Sequence, residues 1–143
     1  MKVSTKGRYA LRVMIELANR ADEGFVSLKG IAERQNISEK YLEAIMKSMV
    51  KAELVVGMRG KGGGYRLAQP ADRCTVGSIL RASEGSLAPV ACLEGDEVTC
   101  PRQGQCATLP MWRELNQVID RFLDGITLEQ LAAQARAMGE NAV

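Results

Sequence analysis

A mainly α fold with a small β-hairpin wing is what this sequence predicts: a winged helix-turn-helix domain followed by a long helix suited to dimerisation. Three observations carry that expectation. Two short helical segments begin at Ser27 and Ser38 and are separated by a tight break at Gln35-Asn36. The basic, glycine-rich run Arg59-Gly60-Lys61-Gly62-Gly63-Gly64 then stands between two β-prone stretches. A strongly apolar helical stripe follows from Leu109. These features divide the 143 residues into a winged domain over 1–83, a cysteine-bearing loop over 84–108 and C-terminal helices over 109–143.

Taken in order, Ser4 or Thr5 caps a first helix running to about Asn19. Leu11, Met14, Ile15 and Ala18 recur on it at i, i+3, i+4 and i+7, the spacing of a buried stripe. Lys6, Arg8 and Arg12 near its start either reach phosphates or form a solvated face. Asp22-Glu23-Gly24 turns the chain, and Phe25-Val26 leads to Ser27, a good N-cap, with Leu28, Ile31 and Ala32 at helical spacing behind it. Ser38 caps the next helix, and Glu39 in its first turn suits the positive end of the helix dipole. Leu42, Ile45 and Met49 form its inner face, with Tyr41 beside them. Lys40, Glu43, Ala44, Lys47 and Lys51 form a polar, largely basic outer face. That is a helix-turn-helix pattern.

Leu54, Val55 and Val56 start a strand, and Tyr65, Arg66 and Leu67 form its returning partner. Glycines between them permit positive φ and close backbone approach. Arg59, Lys61 and Arg66 put positive charge on the tip and flanks, which suits a phosphate backbone or a minor groove. Gln69-Pro70-Ala71-Asp72 turns into a short helix capped by Thr75, with Val76, Ile79 and Leu80 inward. Cys74 just before it reads as a small buried residue. The stretch 84–108 has no sustained period and is read as a loop, long enough to be functional or disordered. Pro110 fits the first turn of a helix whose stripe is Trp112, Leu115, Ile119 and Phe122, widened by Val118 and Leu123. Gly125 ends it. Thr127 and Gln130 make a capping box for a last helix carrying Leu128 and Leu131, and a frayed tail is expected from Gly139. So apolar a helix beside a small domain is a candidate for pairing with its twin in a homodimer, because helix-turn-helix proteins commonly bind paired half-sites.

Charge is distributed to match. Residues 1–70 hold 13 Lys/Arg against 7 Asp/Glu, a balance of +6; residues 71–143 hold 6 against 10, a balance of −4. A basic front half and an acidic back half suit a nucleic-acid-binding end and a sensing or assembly end. No apolar run is long enough to span a bilayer, and the N-terminus lacks a signal-peptide core, so a cytoplasmic, non-membrane location is expected. The chain has no histidine, which removes Ser-His-Asp and Cys-His nucleophile arrangements and histidine metal ligands. No CxxC pair, GK[ST]-ended phosphate loop or acid/base constellation is present either. An enzyme is therefore not expected; a cysteine-dependent oxidoreductase is the remote alternative, and a winged helix that binds protein is another.

Four cysteines stand at 74, 92, 100 and 106. In a reducing compartment closely spaced cysteines are more often metal ligands or redox sensors than structural disulfides. Cys92, Cys100 and Cys106 share one loop. Thiolates are the usual ligands of iron–sulfur clusters, zinc accepts the same sulfurs, and a thiol switch uses them as well. Spacing alone leaves all three open, along with three cysteines that bind nothing.

The residues Ser4-Thr5-Lys6-Gly7-Arg8-Tyr9-Ala10, then Ser38 with Tyr41-Leu42-Glu43, then Arg59-Gly60-x-Gly62-Gly63-Gly64-Tyr65, and the three-cysteine loop before Trp112 carry a resemblance over nearly the whole chain. The sequence resembles the winged-helix bacterial regulators of the Rrf-two type, typified by the iron-sulfur cluster regulator IscR. That resemblance implies a homodimer whose long C-terminal helix crosses its partner. It implies binding to palindromic double-stranded promoter DNA, and a 2Fe–2S cluster on Cys92, Cys100 and Cys106 that alters which sites are bound. Two departures stand out. The seven residues between Cys92 and Cys100 exceed the usual spacing. The position of the histidine that is the fourth ligand in IscR is Leu109, and the position where some relatives offer a carboxylate is Arg8. The fourth ligand is thus open among Glu94, Asp96, Glu97, Cys74, a residue of the other subunit, and solvent or a small thiol.

The expected DNA-binding set is Ser38, Lys40, Tyr41, Glu43, Ala44 and Lys47 facing the major groove, with Arg59, Gly60, Lys61 and Arg66 on the wing. Ser38 and the helix N-terminus suit a phosphate, and Lys40 and Ala44 lie where base edges come within reach. Glu43 repels phosphate but accepts from a cytosine amino group, so it acts on specificity. Arg59 enters or flanks a minor groove, with Lys61 and Arg66 on nearby phosphates.

Overall fold

Hydroxyl caps open most of the helices. The computed structural model describes residues 2–95 and 100–139. Its helices are α1 (Thr5–Asn19), α2 (Leu28–Gln35), α3 (Glu39–Lys51), α4 (Val76–Glu84), α5 (Leu109–Asp124) and α6 (Leu128–Ala137), with strands β1 (Val55–Met58) and β2 (Gly64–Leu67) after α3. Ser4, Ser27, Ser38, Thr75 and Thr127 accept from the backbone N–H groups of Gly7, Gly30, Tyr41, Ser78 and Gln130. Each such cap contributes about 1 kcal/mol by satisfying an otherwise orphaned donor. Gln130 completes the capping box on Thr127, as the sequence predicts. α5 has no side-chain cap and starts with Pro110, whose missing N–H is no loss in a first turn.

The core is built around α1. Val13, Met14 and Leu17 meet Ile31 from α2, Leu42, Ile45, Met46 and Met49 from α3, Ile79 from α4 and Leu128 from α6, all essentially without solvent exposure. The expected stripe on α1 is thereby corrected. The deepest positions are Ala10, Val13, Met14 and Leu17, while Leu11, Ile15 and Ala18 pack half-buried beside them. Both sets share the same helical spacing, and α1 is covered on more than one side, so periodicity alone does not choose between them.

β1 and β2 pair antiparallel with Val55 opposite Leu67 and Gly57 opposite Tyr65. Val26 adds a rung that the sequence reading misses: its N–H donates to the Tyr65 carbonyl and its carbonyl accepts from the Tyr65 N–H, both at 2.8 Å. Gly64, at φ 149°, lies so close to the Val26 backbone that a β-carbon would collide with it. The wing is therefore seated on the segment leading into α2.

The two C-terminal helices part company. α6 joins the winged body: the Leu128 N–H donates to the Cys74 carbonyl at 2.7 Å, and Arg136 Nη1 donates to Asn19 Oδ1 at 2.6 Å. α5 leans on α4 through Ile119 and Leu123, which pack by Val76, Leu80 and Leu87. Arg81 on α4 ties it down with ion pairs at 2.8 Å to both Asp120 and Asp124. Those hydrogen bonds, first with Asp124 and then with Asp120, hold the Arg81 guanidinium above its ordinary pKa. The other side of α5 is bare: Met111, Leu115, Val118 and Phe122 are 51, 39, 47 and 66 % exposed. The single stripe expected on this helix is thus split between an intramolecular face and an uncovered one. Among the described residues no helix is long and apolar enough to cross a membrane.

Candidate nucleic-acid interface and cysteine loop

The break between α2 and α3 is made by Asn36, which takes the left-handed conformation at φ 54° that a small polar side chain tolerates. It allows α3 to leave with Ser38, Lys40, Glu43, Ala44 and Lys47 exposed. Lys47 Nζ lies 4.0 Å from Glu43 Oε1 across one turn. Such exposed pairs contribute only a few tenths of a kcal/mol, so both side chains stay free to meet a ligand. Tyr41 is half-buried: its ring meets that of Tyr9 edge-on with centroids 5.9 Å apart. Tyr41 is thus partly a packing residue.

Glu43, Lys47, Val50 and Lys51 face Gly57, Met58, Arg59, Gly60 and Tyr65 across an open groove of about 620 Å³. Its glycine-rich tip is turned by Gly60 and Gly62, both at positive φ, with the Gly63 N–H donating to the Gly60 carbonyl at 3.0 Å. Lys61 is exposed at that tip. Arg66 lies apart from this groove. It stacks on Phe25 at 5.1 Å and lines a second cleft with Ala18, Ala21, Pro70 and Glu129. Strand alternation explains the separation, since Tyr65 and Arg66 are neighbours and point to opposite faces.

Of the cations on α1, Arg8 bonds Thr5 of its own helix, Lys6 donates to Ser48 Oγ of α3 at 3.1 Å, and Arg12 holds the end of α2. Sequence reasoning missed what lies behind Arg12. Glu16 is 6 % exposed and accepts from Arg34 and from Gln35, whose side chain is equally buried. A buried carboxylate requires such partners. The available signal was the position of Glu16 between the buried Val13 and Leu17.

The cysteines divide as the sequence suggests. Cys74 is buried, which pushes its thiol pKa up against the smaller opposing effect of Ser78. Cys92, Cys100 and Cys106 are partly exposed in the loop. A hydrogen bond with Thr108 Oγ1 at 3.4 Å, helped by the backbone N–H groups of Thr108 and Leu109, lowers the pKa of Cys106. Soft thiolates fit an iron–sulfur or zinc centre in kind. Among the described residues, however, no three Cys, Asp or Glu side chains are gathered closely enough to hold a metal. Asp96 and Glu97, two of the candidate fourth ligands, lie outside the described residues; Glu94 is exposed.

The sequence profile of the Rrf2 iron-dependent transcriptional regulators matches residues 3–134. This chain belongs to the Rrf2 family. Among Rrf2 relatives it is 43 % identical over 133 residues to the transcriptional regulator CymR of Bacillus subtilis, covering 93 % of this chain and 91 % of that one. It is 44 % identical over 131 residues to IscR of Aliivibrio salmonicida, covering 92 % and 77 %. Solved Rrf2 structures agree. CymR, described as the global cysteine regulator of B. subtilis, superposes with a TM-score of 0.74 at 42 % identity, covering 94 % of this chain and 98 % of that one. T. potens IscR gives 0.73 at 37 % identity, covering 97 % and 91 %. The relatives are named as transcriptional regulators and not as enzymes; the superpositions bear out the winged helix-turn-helix fold, and the IscR matches bear out the expected resemblance.

Proposed function

We propose that this DNA-binding transcriptional regulator works as a cytoplasmic homodimer, reads palindromic promoter DNA with α3 and the wing, and senses iron–sulfur or redox status through its cysteine loop. The observation that carries the DNA reading is the groove in which the exposed face of α3 and the glycine tip around Arg59 converge. Ser38, Lys40, Tyr41, Glu43, Ala44 and Lys47 take the major groove, and Arg59, Gly60 and Lys61 the neighbouring backbone or minor groove. Arg66, behind the wing, meets DNA only where the duplex wraps past the hairpin. The test is selection of duplexes from a random library followed by binding across a salt series. A preferred inverted repeat, with affinity falling linearly in log salt, is expected. Absence of any salt-dependent retention overturns the reading.

Support for the dimer comes from α5. Met111, Leu115, Val118 and Phe122 follow the four- and three-residue steps of a helix-pairing seam and are exposed in the single chain. Sedimentation that reports a monomer at micromolar concentration counts against it.

Cys92, Cys100 and Cys106 are proposed as ligands of a 2Fe–2S cluster, whose bound form would supply an oxygen- and redox-responsive centre. Leu109 offers no ligand, so such a centre is expected to be labile. A second reading, a zinc site or thiol switch, draws support from the partly exposed Cys106, whose hydrogen bond with Thr108 Oγ1 lowers its pKa. Anaerobic absorption with iron and sulfide stoichiometry separates them: visible bands with equal iron and sulfide support the cluster, and a colourless zinc protein overturns it.

A further inference from the structure

Three side chains of α1 meet the helix-turn-helix one helical turn apart. Lys6 bonds Ser48 near the end of α3, Tyr9 meets Tyr41 near its start, and Arg12 grips the end of α2. Arg12 is the most fully committed. Its Nη2 donates to the Gln35 backbone carbonyl at 2.9 Å and its Nε to Gln35 Oε1 at 3.2 Å. Its guanidinium lies 4.9 Å from the centre of the Tyr9 ring. Gln35 is the last residue of α2, so Arg12 caps one of the carbonyls that a helix end leaves unpaired, where the dipole also favours a cation. The Gln35 amide cannot turn away, because its Nε2 donates to the buried Glu16 Oε1 at 2.7 Å. Glu16 is in turn held by Arg34 Nη2 at 2.7 Å.

We infer that Arg12 is a positioning residue for DNA recognition, fixing the turn into α3 through Gln35 and the first turn of α3 through Tyr9 and Tyr41. This inference rests on α3 being the recognition helix. A cation at the start of α1 that simply touched phosphate would need only its charge. Arg12 instead uses a planar fork and a stacking face, which lysine cannot reproduce. Stabilising one orientation of α3 before DNA arrives improves selective binding without adding a contact, since less ordering is left for the binding step.

The test uses duplexes that the wild-type chain selects from a random library, an unrelated duplex for comparison, and a salt series. Arg12→Lys is expected to lose about tenfold on the selected duplex, the scale of a hydrogen bond to a charged group. Its affinity for the unrelated duplex and its salt slope stay unchanged, and the Tyr41 ring and Ser38 amide resonances shift in the DNA-free protein. Wild-type preference in Arg12→Lys overturns the inference. So does a salt slope flattened by about one unit on both duplexes in Arg12→Ala and restored by Arg12→Lys, which marks a phosphate contact. Tyr9→Leu guards against a misfolded arginine variant. It removes the stack but leaves the Gln35 grip, and it should reduce the same preference. Losses of the two variants that add fully overturn the shared route; losses smaller together than their sum support it. A wild-type chain that selects no duplex removes the recognition-helix reading itself, an outcome distinct from an unaltered Arg12 variant.

Discussion

The winged body and the cysteine loop follow different rules of construction. In the body each of α1 to α4 and α6 has a side-chain cap, the core residues of α1, α3 and α6 are sealed from water, and its buried carboxylate has charged and amide partners. The described part of the loop has little of this. Among the described residues between Gly85 and Thr108 only Leu87 is buried, and their bonds are short-range turns such as Ala88 N–H to Ser86 Oγ and Cys106 to Thr108. Close packing therefore underlies the α3 surface proposed to meet DNA, and the sulfur chemistry sits on a segment whose described residues are held mainly by short-range bonds. A change at the cysteines can act on the loop without first breaking the recognition surface.

The largest expected effect breaks the body. Leu42→Ala, at a position with no solvent exposure, should cost about 2–5 kcal/mol in denaturant unfolding, because a cavity adds to the lost transfer energy. Replacing Cys92, Cys100 and Cys106 together by serine should change the same unfolding curve of the metal-free protein by no more than about 0.5 kcal/mol. Equal losses in the two variants would erase the contrast between the regions. Next in size is the wing. Gly64→Ala should destabilise by about 1–3 kcal/mol, since a β-carbon needs an unfavourable φ and meets the Val26 backbone. Faster hydrogen exchange at the Val26 and Tyr65 amides would locate the damage; protection equal to wild type would show that the wing is not seated there.

Within the wing, a smaller effect compares its two faces. Lys61→Ala should flatten the salt dependence of DNA binding by about one unit, whereas Arg66→Ala should leave it closer to wild type. The reverse order would mean that the Phe25 face meets the duplex. The smallest effect is chemical. With its pKa lowered by Thr108, Cys106 in the metal-free protein should react with iodoacetamide at a pH below the ordinary thiol range, well before the buried Cys74, whose pKa is raised. Peptide mapping across a pH series reads this directly, and Cys74 reacting first would reverse the assignment of their environments.

Much of this was readable along the chain because local physics decides it. Ser4, Ser27, Ser38, Thr75 and Thr127 announce helix starts through hydrogen bonds within one turn, so those starts need no knowledge of the rest of the molecule. The glycines and cations of the wing, the helix-turn-helix break and the loop cysteines are equally visible as residue types in order. Tertiary packing decided the rest. Leu11 and Val13 both satisfy a helical repeat, and only the helices packed around α1 make Val13 the deeper one. The stripe on α5 reads as one face, yet α4 covers Ile119 and Leu123 and leaves Phe122 in water. Arg66 carries the same charge as Arg59, but the pleat and Phe25 put it behind the wing. Glu16 looks like a surface residue until Arg34 and Gln35 are folded against it. Caps, turns and charge are properties of neighbours in sequence. Which side of a helix or strand is buried, and which charge finds a partner, depends on residues distant along the chain and is settled only when the elements pack.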